Sequence, residues 1–195
     1  MIIFYEKMEE NAQEKNAVKA FIFGDENVGK STILYKYLEI KETAKQTVGV
    51  EVHEKDLDDT IFKIRDCSGQ KRFRNAAANF CWDSDGAFIF YDITDKNSFQ
   101  SIGDLAKLFR GKTSQNSPII ILGNKTDLED ERTVSYDEGK KKAEDLNASF
   151  FEVNKDDKKT IFEAFGKMIE LVKKKWEDDK KIKREDGGSC CGCFK

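Results

Sequence analysis

An apolar run, Ala17-Val18-Lys19-Ala20-Phe21-Ile22-Phe23, leads without a break into Gly24-Asp25-Glu26-Asn27-Val28-Gly29-Lys30-Ser31-Thr32. A strand that ends in G-x-x-x-x-G-K-S and continues as a helix is a phosphate-binding loop in its required setting. The glycines let backbone N–H groups close around a β-phosphate, Lys30 reaches the β- and γ-phosphates, and the Ser31 hydroxyl ligates Mg²⁺. A helix opening at Gly29 adds its positive end. Nucleotide contacts are therefore expected from Asn27, Val28, Gly29, Lys30, Ser31 and Thr32. The loop alone implies a nucleoside triphosphate without saying which.

Downstream, apolar runs at 50–57, 60–65, 86–92, 118–123 and 149–153 alternate with helical patterns near 30–39, 98–112, 135–146 and 159–176. Such alternation predicts an α/β domain, a mainly parallel sheet covered by helices on both faces. Asp58-Asp59 reads as a hairpin turn and gives the one antiparallel pairing.

Two further motifs sit at predicted strand ends. Asp66-Cys67-Ser68-Gly69-Gln70 is a D-x-x-G that puts a carboxylate near Mg²⁺ and the Gly69 N–H near a γ-phosphate. Gly123-Asn124-Lys125-Thr126-Asp127 is an N-K-x-D, whose Asp127 carboxylate matches the N1–H and 2-amino donors of guanine and leaves adenine unsatisfied.

Composition narrows the partners. With 195 residues, 36% of them charged, a net charge of −3 and a single proline, the chain suits one soluble domain and gives no general affinity for nucleic acid. No apolar run approaches membrane-spanning length, and Met1-Ile2-Ile3-Phe4-Tyr5 is too short for a signal sequence. The expected division is a polar extension at 1–16, a nucleotide-binding domain at 17–175 and a tail at 176–195.

Three motifs in this order resemble the small GTPases. Gln70-Lys71-Arg72-Phe73-Arg74 and Gly86-Ala87-Phe88-Ile89-Phe90-Tyr91-Asp92-Ile93-Thr94 look most like the Rab branch. The resemblance implies a P-loop NTPase small G domain: a six-stranded sheet with one antiparallel edge strand, and five helices. It also implies a monomer that cycles between GTP- and GDP-bound states, and Thr47 as a Mg²⁺ ligand beside Ser31 and Asp66. Gln70 would orient the attacking water, and Glu152-Val153-Asn154-Lys155 stands where the family's E-T-S-A loop meets the guanine carbonyl through its backbone. Effectors, an exchange factor, an activating protein and an escort chaperone of the GDI type are implied partners. The implied setting is vesicle trafficking at the cytoplasmic face of an intracellular membrane, with a cytosolic pool.

Several residues depart from the family pattern. Glu26 lies in the phosphate loop where relatives carry a small residue. Turned inward it would approach the γ-phosphate, where two unit charges ~4 Å apart repel by about 4 kcal/mol at intermediate dielectric. Slow, activator-resistant hydrolysis, or a GTP-locked binding platform, would follow; turned to solvent Glu26 does nothing, or it meets an activator's arginine as an ion pair. The stretch from Lys30 to Thr47 is shorter than in relatives, and Glu42 or a neighbour stands where they stack a ring on guanine. Only the Lys125 stem then covers the base, and lost stacking worth ~1–3 kcal/mol predicts faster nucleotide release. Val52 and Arg65 replace the Phe and Trp of the Rab aromatic triad, while Phe80 and Trp82 either keep aromatic character on that surface or pack beneath it. His53, the only histidine, falls on an exposed sheet edge and has no assigned role.

After Trp176 the mixed-sign, glycine-terminated sequence predicts a disordered tether. Gly192 occupies the position fourth from the end, which excludes a C-a-a-X box. Cys190-Cys191-Gly192-Cys193 resembles Rab endings that carry two geranylgeranyl groups, with Cys191 and Cys193 the lipidated pair. Two chains anchor stably where one binds reversibly.

Overall fold

A computed structural model describes residues 15–186. Residues 1–14 and the cysteine-bearing end at 187–195 lie outside the described residues, and with them the lipidation expected at Cys191 and Cys193. The elements in order are β1 (Asn16–Gly24), α1 (Lys30–Leu38), β2 (Val50–Leu57), β3 (Thr60–Cys67), α2 (Arg74–Ala78), β4 (Gly86–Asp92), α3 (Lys96–Gln100), α4 (Ile102–Lys112), β5 (Ile119–Asn124), α5 (Tyr136–Asp145), β6 (Ser149–Val153) and α6 (Lys158–Asp186). Single 3₁₀ turns at Lys71–Phe73 and Thr126–Glu131 follow β3 and β5.

The sheet order is β2-β3-β1-β4-β5-β6. Among the described residues only β2 and β3 pair antiparallel, through the Asp58-Asp59 turn that sets Leu57 opposite Thr60. All other neighbours are parallel. Every residue of β4 and β5 is buried, as near-continuous apolar strands in a doubly covered parallel sheet must be. β2 instead alternates exposed and half-buried residues and carries Glu51, Glu54, Lys55 and Asp56, the charged pattern that keeps an edge strand from pairing with another chain.

Two apolar layers flank the sheet. On one face Ile33, Leu34 and Tyr37 of α1 meet Ile161, Ala164, Phe165, Met168 and Val172 of α6, whose spacing is a helical stripe. Phe165 is the centre, stacked on Tyr37 at 4.2 Å and on Phe88 at 4.5 Å between ring centroids. On the other face Ile102, Leu105, Ala106 and Phe109 of α4 and Ala143 of α5 cover Phe21, Phe23, Ile89, Tyr91 and Ile121. The sheet thereby holds the C-terminal ends of β1, β3, β4, β5 and β6 side by side, where α/β folds of this kind place their ligands.

Two helices differ from their expected extents. The helix expected over 98–112 is divided at Ser101, whose hydroxyl bonds both the Asn97 carbonyl and the Asp25 carboxylate. The helix expected to stop at 176, with a disordered tether beyond, continues to Asp186. No Gly or Pro interrupts residues 177–186, Lys and Glu favour helix, and Lys181 stands 3.6 Å from Asp178 one turn back. Among the described residues no helix is long and apolar enough to cross a membrane.

Candidate functional site

The phosphate loop turns through left-handed backbone at Asn27 (φ 62°) and Gly29 (φ 87°). Asn is among the few side-chain-bearing residues that accept this conformation. At Gly29 the need is also spatial, since a Cβ there would lie 2.3 Å from Asn124 Nδ2. Lys30 is buried and its Nζ donates to the Asp25 carbonyl at 2.9 Å, so the ammonium lies across the inside of the loop. Burial lowers its pKa, opposed by the carboxylates of Asp66, Asp25 and Glu26.

Ser31, Thr47 and Asp66 converge from three separate segments. The Ser31 and Thr47 hydroxyl oxygens are 2.9 Å apart, and Asp66 Oδ2 accepts from Ser31 at 2.5 Å and from Thr47 at 3.3 Å. Thr47 and Asp66 are buried. Burial raises the Asp66 carboxyl, while the Ser31 hydrogen bond and Lys30 oppose the rise. Asp66 Oδ1 is buried with no hydrogen-bond partner. Three hard oxygen donors with one carboxylate oxygen unsatisfied are a donor set that fits Mg²⁺. Beside them a cavity of about 290 Å³ is lined by Glu26, Asn27, Gly29, Lys30, Ser31, Thr32, Thr47 and Gly69, among others. Val28 is absent from this wall, because its side chain is buried in the core.

Gly69 lies directly on the phosphate loop, where a Cβ would come within 2.4 Å of the Asp25 carbonyl. The Gln70 side chain turns away along the surface, and its Oε1 accepts from Arg72 Nε at 2.9 Å. Glu26 is exposed at the cavity rim, and its carboxylate is near enough to Lys30 to favour the ammonium.

At the end of β5, Asn124 is buried and its Nδ2 donates to the Val28 carbonyl at 2.8 Å. That donor is spent on joining two loops, a role sequence reasoning did not assign to it. Lys125, in left-handed backbone (φ 70°), pairs with Asp92 at 2.5 Å. Asp127 is exposed, 3.7 Å from Lys155 Nζ. Asn154 accepts from the Asp156 and Asp157 amides and donates to Thr126, which fixes the loop after β6 against the one after β5. The described residues hold no aromatic in the 40–49 segment, and Glu42 there is exposed.

On the face formed by β2, β3 and the segment after α2, Phe80 is 58% exposed and Trp82 71%, so the reading that they pack beneath the surface does not hold. With Val48, Val50 and Val52, Phe80 borders a groove of about 480 Å³. Arg65 faces Asp83, donating to its two oxygens at 2.6 and 3.1 Å. His53 sits on the edge strand as expected, but its ring is half-buried edge-on to Tyr35.

A left-handed glycine turn before a helix, a Ser–Thr–Asp cluster whose Thr and Asp are buried, and a carboxylate on the loop beyond β5 define a phosphate-loop nucleotide-binding domain. The family model described as Ras family matches residues 19–174. Ras-related protein Rab-3C of Mus musculus is 30% identical over 164 residues, spanning 79% of this chain and 70% of its own. Ras-related protein Rab-3 of Caenorhabditis elegans is 30% identical over 164 residues, with 79% and 73% spanned. Ras-related protein Rab-3A of Homo sapiens is 29% identical over 166 residues, with 82% and 76%. The chain belongs to the Ras superfamily, among its Rab-like small GTPases.

Proposed function

We propose that this chain is a Rab-like switch that binds and hydrolyses GTP in vesicle trafficking. The observation that carries the reading is the convergence of Ser31, Thr47 and Asp66 beside Lys30, with one buried Asp66 oxygen left for a cation. Ser31, Thr47 and Asp66 would hold Mg²⁺, which when bound neutralises charge on the β- and γ-phosphate oxygens. The backbone of residues 27–32 wraps the phosphates, and Lys30 exchanges the Asp25 carbonyl for phosphate oxygens. Asp127 accepts from guanine, while the backbone at Asn154 and Lys155 meets its carbonyl. Gly69 donates its N–H to the γ-phosphate, and the Gln70 carboxamide, released from Arg72, orients the attacking water.

Loss of the γ-phosphate frees Thr47 and Gly69, and the face bearing Val48, Val52, Phe80 and Trp82 changes with them. Effectors read that face, and an exchange factor, an activating protein and a GDI-type escort act on the same segments. Geranylgeranyl groups on Cys191 and Cys193 would hold a monomer at the cytoplasmic side of an intracellular membrane, with a cytosolic pool.

A second reading is a GTP-locked platform. Glu26 favours it, because its carboxylate stands at the rim of the phosphate cavity. Nucleotide analysis of the purified protein, followed by single-turnover phosphate release, tests both. Bound guanine nucleotide with release over minutes to hours supports the switch, bound GTP that persists supports the platform, and equal binding of ATP overturns both.

A further inference from the structure

Asp25 is the residue on which the phosphate loop, the segment after β3 and the α3–α4 junction meet. Its carboxylate takes the Arg74 guanidinium in a close charge-assisted bond, with Lys71 3.9 Å away. The Ser101 hydroxyl donates to its other oxygen at 3.0 Å. The pair is shielded, with 9% of the Asp25 side chain and 20% of the Arg74 side chain exposed. The backbone of the same residue accepts from Lys30 and forms the wall on which Gly69 rests.

A shielded ion pair adds little to stability over an apolar pair, but it fixes the relative placement of the segments that carry it. Here one segment carries Lys30 and the other Gly69 and Gln70. We propose that Asp25 and Arg74 are positioning residues that latch the Asp66–Gln70 loop onto the phosphate loop, so that Gly69 and Gln70 hold their places for hydrolysis. Arg74 also neutralises a carboxylate that would otherwise stand unpaired beside a polyphosphate. Ser101, the residue between α3 and α4, extends the latch to α4. This rests on the GTP-hydrolysing reading above.

The test uses the full chain loaded with Mg²⁺ and GTP, as wild type, Arg74→Gln, Asp25→Asn and the double variant. Single-turnover hydrolysis, release of a fluorescent GTP analogue, and trypsin cleavage after Lys71 and Arg72 are followed together. Each single substitution is expected to slow hydrolysis about tenfold and speed cleavage, with GTP release from Asp25→Asn within about threefold of wild type. The double variant should match the slower single one, because both remove the same contact. Ser101→Ala leaves both charges in place and should give an intermediate slowing, so the result does not depend on the charge variants folding. Wild-type hydrolysis and cleavage in all variants, or losses that multiply, would overturn the latch. If wild type binds guanine nucleotide but never turns it over, hydrolysis is lost from the functional reading, and cleavage decides the latch: faster in the single variants supports it, unchanged overturns it.

Discussion

The Asn124 carboxamide donates to the Val28 carbonyl at 2.8 Å, and through that bond the end of β5 is fastened to the phosphate loop. The loops proposed to hold the base and the phosphates are thus two ends of one braced structure. Asn124→Ala leaves the Val28 carbonyl buried without its donor, an effect of about 1–3 kcal/mol. Release of a fluorescent GDP analogue should quicken about tenfold or more, and a wild-type rate would show the brace to be idle.

Glu26→Gly removes the only carboxylate among the described residues that line the phosphate cavity. Single-turnover hydrolysis is expected to rise about fivefold with GTP affinity little changed, and more in the presence of an activating protein that inserts an arginine. Equal rates for the two proteins, with and without activator, would retire the idea that this residue restrains turnover.

On the role proposed for Asp127, Lys155, 3.7 Å away, competes with guanine's donors for the same carboxylate. Both side chains are substantially exposed, so the effect is at most ~1 kcal/mol. In Lys155→Ala, GDP should dissociate up to about fivefold more slowly, while inosine diphosphate, which lacks the 2-amino group, gains less. An unchanged ratio of the two off-rates counts against the competition.

Asp83 is held below the ordinary carboxylate range, first by its hydrogen bonds from Arg65 and then by Lys19. A carboxyl lowered on folding contributes stability that is present above its unfolded pKa and is lost as pH falls through the folded value. Asp83→Asn should therefore lower Tm at neutral pH by about 4–8 °C, for a loss near 2 kcal/mol. The gap between variant and wild type should close as pH falls below the unfolded carboxylate pKa of ~3.9. Thermal unfolding followed by circular dichroism from pH 7 to pH 3 measures it, and a gap that widens in acid would contradict the assignment.

What could be read before the structure was known was local chemistry. The Asp58-Asp59 hairpin, the buried strands β4 and β5 and the phosphate loop each follow from a few adjacent residues. Ser31 and Asp66 were legible from motifs, whereas Thr47 was legible only through resemblance, because nothing beside it in sequence says that its hydroxyl faces Ser31. Contacts between distant segments left no periodic trace. Arg74 to Asp25, Lys125 to Asp92, and Arg132 to Glu152 at 2.7 Å join residues that no spacing rule connects. The end of α6 was missed for a different reason: mixed charge is shared by solvated helices and unstructured chains, and only the lack of a breaker before Gly187 separates them.

The ten residues of α6 beyond Trp176 give this chain a lever. At ~1.5 Å of rise per residue they carry the polypeptide about 15 Å along the helix axis, and Ile182 still borders a groove beside Asn116 and Asn147. Whatever follows Asp186 therefore starts about 15 Å farther from the sheet's end of α6 than it would if the helix stopped at Trp176.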